Sequence, residues 1–310
     1  MSSTPSKSSS AAICADATRH VPAGEITLLV RDYDLDLTMG CGQTFVWQRD
    51  AHGWTGAIGR RWVQLESCKT GIIARTAAPV TDWSWLKNYL QTDVCLDDIF
   101  AAFPDDDLHL KAAISACRGM RLLKQDHWEC LASFILSSTK QITQIHQVVS
   151  LLRQRFGSRI TVPDGFPTMS AFPTAEQIAR LDEATLRECK MGFRAPYLLD
   201  AARRVVDGRL DLVRLESLSL DEARDGLMQV NGVGEKIAEC VLLYGYGFPD
   251  AFPVDVWVAR ALRECYFRGR NVPLVKLRAF SAKYFGEQAG YAQQYLFHHI
   301  RTRGRGRRNH

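Results

Sequence analysis

No stretch of this 310-residue sequence stays apolar for the roughly 20 residues that a membrane-spanning helix needs. The first twenty residues are rich in Ser, Thr and Ala and lack the apolar centre of a secretory signal. They hold only Lys7 and Arg19 as basic residues, which makes an organellar transit peptide the weaker reading. Nine cysteines, at positions 14, 41, 68, 95, 117, 130, 189, 240 and 265, include no CxxC pair and no zinc-like spacing. Their scatter reads as reduced, mainly buried thiols of an intracellular protein, in the cytoplasm or nucleoid of a bacterium or the nucleus of a eukaryote. Charge of one sign is scarce as well. The net charge is +5, and the five arginines between Arg301 and Arg308 account for all of it. That terminus reads either as a solvated tail or as a basic arm that meets phosphates. Charge alone therefore does not establish a nucleic-acid partner.

What is present is enough apolar material, 46% of residues, for a sizeable core. Residues 1–22 show no periodicity and are expected to form a disordered leader. From there to about residue 78, short aromatic and branched segments alternate with turns. Ile26–Val30, Phe45–Val46–Trp47, Trp54–Ile58, Trp62–Leu65 and Ile72–Ala74 read as strands, with tight connections at His52–Gly53 and Gly59–Arg60. After Thr81 the period changes to about 3.6, as in Trp85, Leu86, Tyr89 and Leu90. Thr174 with Gln177, and Ser219 with Glu222, have capping-box spacing, and Gly157 and Gly208 stand where helices should stop. The last helices are expected over 274–285 and 289–302. The fold class is thus α+β, mainly α: an N-terminal antiparallel β domain over 23–105 with a flanking helix, a helical body over 106–300, and an Arg/Gly tail over 301–310.

The most informative stretch is Leu227 to Cys240. An apolar helix ends, Asn231–Gly232–Val233–Gly234 turns, and a second apolar helix begins. Glycines permit a tight turn and leave amides uncovered, which together with a helix start can cradle a phosphate. The same pattern suits an ordinary helix hairpin. Lys236 lies in the first turn of the second helix, where the macrodipole disfavours a cation, and a neutral amine there is a nucleophile. Nineteen residues later, Pro253–Val254–Asp255 places Asp255 at a helix N-cap. Asp255 is either a plain cap or a carboxylate that stabilises positive charge on a sugar ring as a glycosidic bond breaks.

With these residues in place, the sequence resembles the helix-hairpin-helix DNA glycosylases. Within them it is similar to the eukaryotic-type 8-oxoguanine DNA glycosylase/AP lyases, which some bacteria also carry. The likeness covers most of residues 25–300. It includes Cys41–Trp47, Arg121–Asp126, Glu129–Ser138, Gly192–Ala195, the hairpin, Pro253–Asp255 and Ala292–Phe297. The resemblance implies base flipping in duplex DNA, attack by Lys236, a Schiff base and β-elimination, with Asp255 in electrostatic support. It implies that Phe297 and Cys240 sandwich the flipped base, that Gln293 reads its Watson–Crick edge, and that the Gly42 carbonyl accepts the extra N–H of 8-oxoguanine. Cys240 stands one helical turn beyond Lys236, which puts both on one face. Phe193 falls at the family's wedge position and Arg194 at that of a cytosine-reading arginine. Asn231, Gly232 and Gly234 fall at the phosphate cradle. Carbonyls of Met228, Val230 and Val233 would hold a structural monovalent cation. No other cofactor is implied, and the partner is duplex DNA, met as a monomer.

The sequence also departs from that pattern. A run of asparagines is replaced by Thr139–Lys140–Gln141, an arginine by Gln144, and a histidine after the aspartate by Trp257. The first two changes put a strict requirement for cytosine opposite the lesion in doubt. The third removes a phosphate contact. Only Cys265 follows Asp255, so the four-cysteine iron–sulfur loop of the endonuclease III group has no ligands here. A glycosylase of the same fold for another damaged purine, or a non-catalytic helix-hairpin-helix DNA-binding module, remains the alternative.

Overall fold

A computed structural model of the chain describes residues 23–138 and 141–306. The expected leader over 1–22 and the candidate residue Thr139 lie outside the described residues. Strands β1 (Gly24–Leu29), β2 (Gln48–Asp50), β3 (Gly53–Ile58), β4 (Arg61–Cys68) and β5 (Gly71–Thr76) build one antiparallel sheet in the order β1-β5-β4-β3-β2. Strands β2 to β5 form a meander, and β1 adds to its far edge with Gly24 opposite Thr76 and Leu29 opposite Gly71. Along β4, Trp62, Val63, Gln64 and Leu65 are all buried, so this central strand is covered on both faces.

One local expectation fails here, and one element was not anticipated. Phe45–Val46–Trp47 is not a strand but a buried irregular segment, and pairing begins only at Gln48. Its anchors are tertiary: Trp47 Nε1 donates to Tyr89 Oη at 2.8 Å, and Arg153 Nη1 donates to the Val46 carbonyl at 2.9 Å. The Trp47 ring lies where a Cβ on Gly56 would meet it at 2.7 Å. A short helix, α1 (Leu35–Gly40), also precedes that segment, capped by Asp34 accepting the Leu37 amide at 2.8 Å. Six residues are too few for a 3.6 period to show.

The helical body comprises α2 (Ser84–Leu90), α3 (Leu96–Ala101), α4 (Leu108–Ala116), α5 (His127–Ser137) and α6 (Ile142–Phe156). A two-residue ribbon, β6 (Arg159–Ile160) with β7 (Met169–Ser170), leads to α7 (Ala175–Ala179), α8 (Glu183–Leu186) and α9 (Ala195–Val206). The chain then forms α10 (Leu220–Met228), α11 (Glu235–Val241), α12 (Val256–Tyr266), α13 (Leu274–Phe285) and α14 (Ala289–Gly306). Both expected capping boxes form, and Gly208, at φ +75°, follows α9. Helix α5 is buried from Trp128 to Ser137 and forms the axis of the body. Sheet and helices share one continuous core, running from Leu28 to Leu296.

The C-terminal expectation needs correction. Helix α14 continues to Gly306, and Arg301 is 9% exposed, so the tail does not begin at 301. The apolar body of Phe297, one turn earlier, holds the Arg301 guanidinium 5.1 Å from its ring centre.

Candidate active site

Helices α10 and α11 meet in the turn read from the sequence. Gly232 takes φ +81°, and its neighbour Val233 closes the turn by donating to the Val230 carbonyl at 3.0 Å. Asn231 donates its amide to Asp200 Oδ2 at 3.1 Å, so this amide of the expected cradle is already engaged. Among the described residues, the amides of Gly232 and Gly234 have no such partner. A Cβ on Gly234 would meet nothing within 4 Å, so the start of α11 is open to an external acceptor.

Lys236 leaves the first turn of α11 and reaches inward, its Nζ 5.4 Å from the centre of the Phe134 ring on α5. Phe134 is stacked on Tyr244 at 5.5 Å and meets Phe45 edge-on at 5.7 Å. Tyr244 lies in Leu242–Tyr246, where α11 continues as π-helical turns, a widening that recurs at functional sites. Its hydroxyl donates to Gln294 Oε1 at 2.5 Å and lies 3.3 Å from Gln293 Oε1.

Asp255 caps α12 with one oxygen: Oδ1 accepts the Trp257 amide at 2.9 Å and the Val258 amide at 2.8 Å. Burial raises its carboxyl above the ordinary carboxylate value, opposed by the Val258 amide, Lys236, the Trp257 amide and Arg301. Cys240 is 4% exposed, and burial pushes its thiol up to about 11, with Lys236 pulling down and Asp255 pushing up. Cys240 and Asp255 are thus desolvated, and both couple electrostatically to the half-buried Lys236.

Helix α14 supplies another wall, with Gln293, Phe297 and Arg301 at successive four-residue steps along one face. Gln293 is buried and Phe297 half-buried. Facing them, Gly42 takes φ +95°, and a Cβ there would lie 2.5 Å from Ile142 Cδ1 and 3.4 Å from Arg301 Nη1. The five residues Lys236, Asp255, Cys240, Phe297 and Gln293, together with Gly42, thus come from four separate stretches of sequence.

Matches to known proteins coincide with this arrangement. Residues 25–131 match the model of the 8-oxoguanine DNA glycosylase N-terminal domain, and residues 132–283 that of the HhH-GPD superfamily of base excision DNA repair proteins. The N-glycosylase/DNA lyase OGG1 of Arabidopsis thaliana is 30% identical over 280 residues, covering 85% of this chain and 76% of its own length. The chain belongs to the 8-oxoguanine DNA glycosylase family. Among solved structures, MBOgg1 in complex with a low-affinity DNA ligand superposes with a TM-score of 0.86 at 35% identity, covering 91% of this chain and 97% of its own. The Clostridium acetobutylicum 8-oxoguanine glycosylase/lyase, bound to duplex DNA with cytosine opposite 8-oxoguanine, gives 0.83 at 28% identity, covering 90% and 99%.

The residues that the resemblance led us to expect at the opposite strand divide. Phe193 is 52% exposed and stands edge-on to Tyr197 at 6.3 Å. Ahead of it, Lys190 holds a left-handed backbone at φ +61°, a strained conformation for a residue with a side chain. Arg194 turns inward instead: it is 4% exposed, donates to the carbonyls of Ser138 and Met191, and lies 4.2 Å from the Phe193 ring centre. Gln144 accepts the Gln141 amide at 3.1 Å as part of the start of α6. Trp257 is half-buried beside the Asp255 cap.

Sequence reasoning missed four participants. Phe134 and Tyr244 form the aromatic wall behind Lys236, and Arg301 was assigned to the tail. Gln43, fully buried, pins the Gly42 turn: Nε2 donates to the Thr38 and Arg121 carbonyls at 2.9 and 2.8 Å, and Oε1 accepts the Leu123 amide at 2.9 Å. Gln125 Nε2 closes the link by donating to the Gln43 carbonyl at 2.8 Å. The signal was present, since Cys41–Trp47 and Arg121–Asp126 were both singled out, but nothing local says that they pair.

Proposed function

We propose that this glycosylase excises 8-oxoguanine from duplex DNA and then nicks the strand, with Lys236 as nucleophile and Asp255 as its supporting carboxylate. The observation that carries the reading is the convergence of Lys236, Cys240 and Asp255 in one electrostatically coupled site. A base within the helix is out of reach, so the nucleotide is flipped into this site. The nitrogen lone pair of Lys236 attacks C1′ of the sugar. The glycosidic bond breaks, and the base leaves with the bonding pair and takes up the proton that the amine gives up as its bond to C1′ forms. Positive charge on the sugar faces Asp255, whose Oδ1 is held by two amides while Oδ2 stays available. Ring opening gives a Schiff base on Lys236. Loss of a C2′ proton then expels the 3′ phosphate by β-elimination.

Recognition follows from the surroundings. Phe297 and Cys240 hold the base between them, and Gln293 has its oxygen directed to Tyr244, which leaves its amide nitrogen for the base edge. The Gly42 carbonyl accepts the N–H that distinguishes 8-oxoguanine from guanine. Phe193 fills the gap left in the duplex, and the Gly232 and Gly234 amides take a backbone phosphate. The enzyme acts as a monomer. A monovalent cation on the carbonyls of Met228, Val230 and Val233 suits this turn, because Val230 engages one lone pair with the Val233 amide and keeps a second.

Borohydride trapping on a duplex with one 8-oxoguanine, paired in turn with each normal base, tests the reading. A covalent adduct with the wild type and none with Lys236→Ala is the expected result. DNA binding without adduct or base release would leave a non-catalytic binding module instead.

A further inference from the structure

We propose that Glu239 is a positioning residue that fixes the separation of Lys236 from Asp255, an inference that rests on the roles given to those two above. Glu239 sits on α11 three residues past Lys236, and its side chain is buried at 5% residue exposure. Oε2 accepts the Phe252 amide at 2.7 Å, and Phe252 stands three residues before Asp255. One buried hydrogen bond thus joins the helix carrying the amine to the extended segment carrying the carboxylate. Arg224 of α10 holds the other oxygen, Oε1, and pairs in turn with Asp221.

The segment it grips has little freedom elsewhere. Phe252 is stacked on Phe285 at 5.5 Å with the rings 8° apart. The Gly290 amide donates to the Pro249 carbonyl at 2.8 Å, and a Cβ on Gly290 would lie 2.3 Å from Leu243 Cδ1 and 3.1 Å from the Ala251 carbonyl. Helix α14, which carries Gln293 and Phe297, is therefore docked on the same segment. With Pro253 blocking a regular ladder at the next residue, the Phe252 amide has Glu239 as its acceptor, and that bond ties the segment carrying Asp255 to the helix carrying Lys236. A misplacement of about 1 Å between reacting groups costs on the order of 100-fold in rate.

The test is single-turnover base release and borohydride trapping on an 8-oxoguanine duplex, well below each variant's Tm, beside the Kd for an uncleavable abasic duplex. Glu239→Ala is expected to lose about 100-fold in rate with little change in Kd. The double variant Arg224→Met/Glu239→Gln keeps an acceptor for the Phe252 amide without an unpaired buried cation, and is expected to recover at least about tenfold of that loss. Should Glu239→Ala fail to fold, Arg224→Met/Glu239→Met takes its place, being uncharged and lacking the acceptor. A glutamine variant as slow as the acceptor-less one, or an acceptor-less one as fast as wild type, overturns the proposal. Absence of any adduct in the wild type sinks the underlying reading instead, so the two failures are distinct.

Discussion

The two glycines of the hairpin look alike in sequence and should fail in opposite ways when replaced by alanine. At Gly232 the backbone is left-handed, φ +81°, and the new Cβ would fall 2.4 Å from both Cδ2 and Cγ of Tyr197 and 3.0 Å from its Cβ. These atoms are the root of a ring, not the end of a flexible chain, so they cannot swing aside. Left-handed strain costs about 1–2 kcal/mol, and overpacking adds about 1–3 kcal/mol. Together they predict a loss of roughly 2–5 kcal/mol, and at about 2 °C per kcal/mol for a chain of this length Tm falls by roughly 4–10 °C. Because Tyr197 also supports Phe193, the damage spreads to the wedge.

At Gly234 the backbone is extended, φ −93° and ψ 175°, and the new Cβ would enter open space. Stability should change by only about 1 kcal/mol or less, the cost of a poorer N-cap. The methyl group, however, enters the open space beside the Gly234 amide, which the proposed function assigns to a phosphate. A hydrogen bond to an anion contributes about 1.5–3 kcal/mol, so losing one weakens DNA binding about tenfold or more. Thermal melts and fluorescence anisotropy at one fixed salt concentration separate the two outcomes. Wild-type affinity in Gly234→Ala refutes the cradle. An unchanged Tm in Gly232→Ala refutes the packing argument.

Other outcomes follow from the same structure. Burial raises the Asp255 carboxyl, and the reaction uses its ionised form, so single-turnover excision is lost on acidification at a pH above the ordinary value of 3.8; a rate that holds down to that value contradicts the role. Glu129 is buried, and its carboxyl is pushed up to about 8 from an ordinary 4.5, chiefly by burial with Asp126 adding and Arg153 opposing. Its contribution to stability is therefore full below 4.5 and lost as pH rises through about 8, so Glu129→Gln should flatten the fall of unfolding free energy by on the order of 1 kcal/mol per pH unit across that window. Phe193→Ala removes a half-exposed ring and should barely move Tm, yet slow excision from duplex by roughly tenfold, the scale of one lost base stack; an unchanged rate denies it a wedge role. Arg194→Met should lower the rate by a similar factor opposite each of the four bases, since its guanidinium holds the Ser138 and Met191 carbonyls; a loss confined to cytosine would show that it reads that base.

Much of this site was legible in the sequence, for a physical reason. The hairpin and the Pro253–Asp255 segment are local devices, in which a left-handed glycine, a helix start and an N-cap each carry a short signature. Capping boxes at Thr174 and Ser219 were readable for the same reason. What escaped depends on pairing across the chain. Trp47 is buried by Tyr89 and Gly56, not by strand alternation, so an aromatic run imitated a strand. Arg301 looked like a tail residue because its neighbours are arginine and glycine, while its burial is set by Phe297 and the Gly42 turn. The role of Gln43 was not readable locally, since its Arg121 and Leu123 partners lie about eighty residues away.

Two kinds of selectivity, for the lesion and for the opposite base, fall on differently supported residues in the proposed function. Residues proposed to choose the lesion sit on supports that cannot drift independently. Gly42 is fixed through Gln43 to residues 121–125, and α14 is docked by Gly290 on the segment leading to Asp255. Residues proposed to choose the opposite base have other duties instead. Arg194 braces the wedge from behind and Gln144 closes the start of α6, so of the described candidates Phe193 alone projects as an exposed ring. A ring stacks on any base and discriminates little, because every base has a π face. The proposed function therefore predicts that lesion choice is held by the cross-linked supports of Gly42 and α14, and that Arg194, whose guanidinium is engaged by the Ser138 and Met191 carbonyls, does not single out one opposite base.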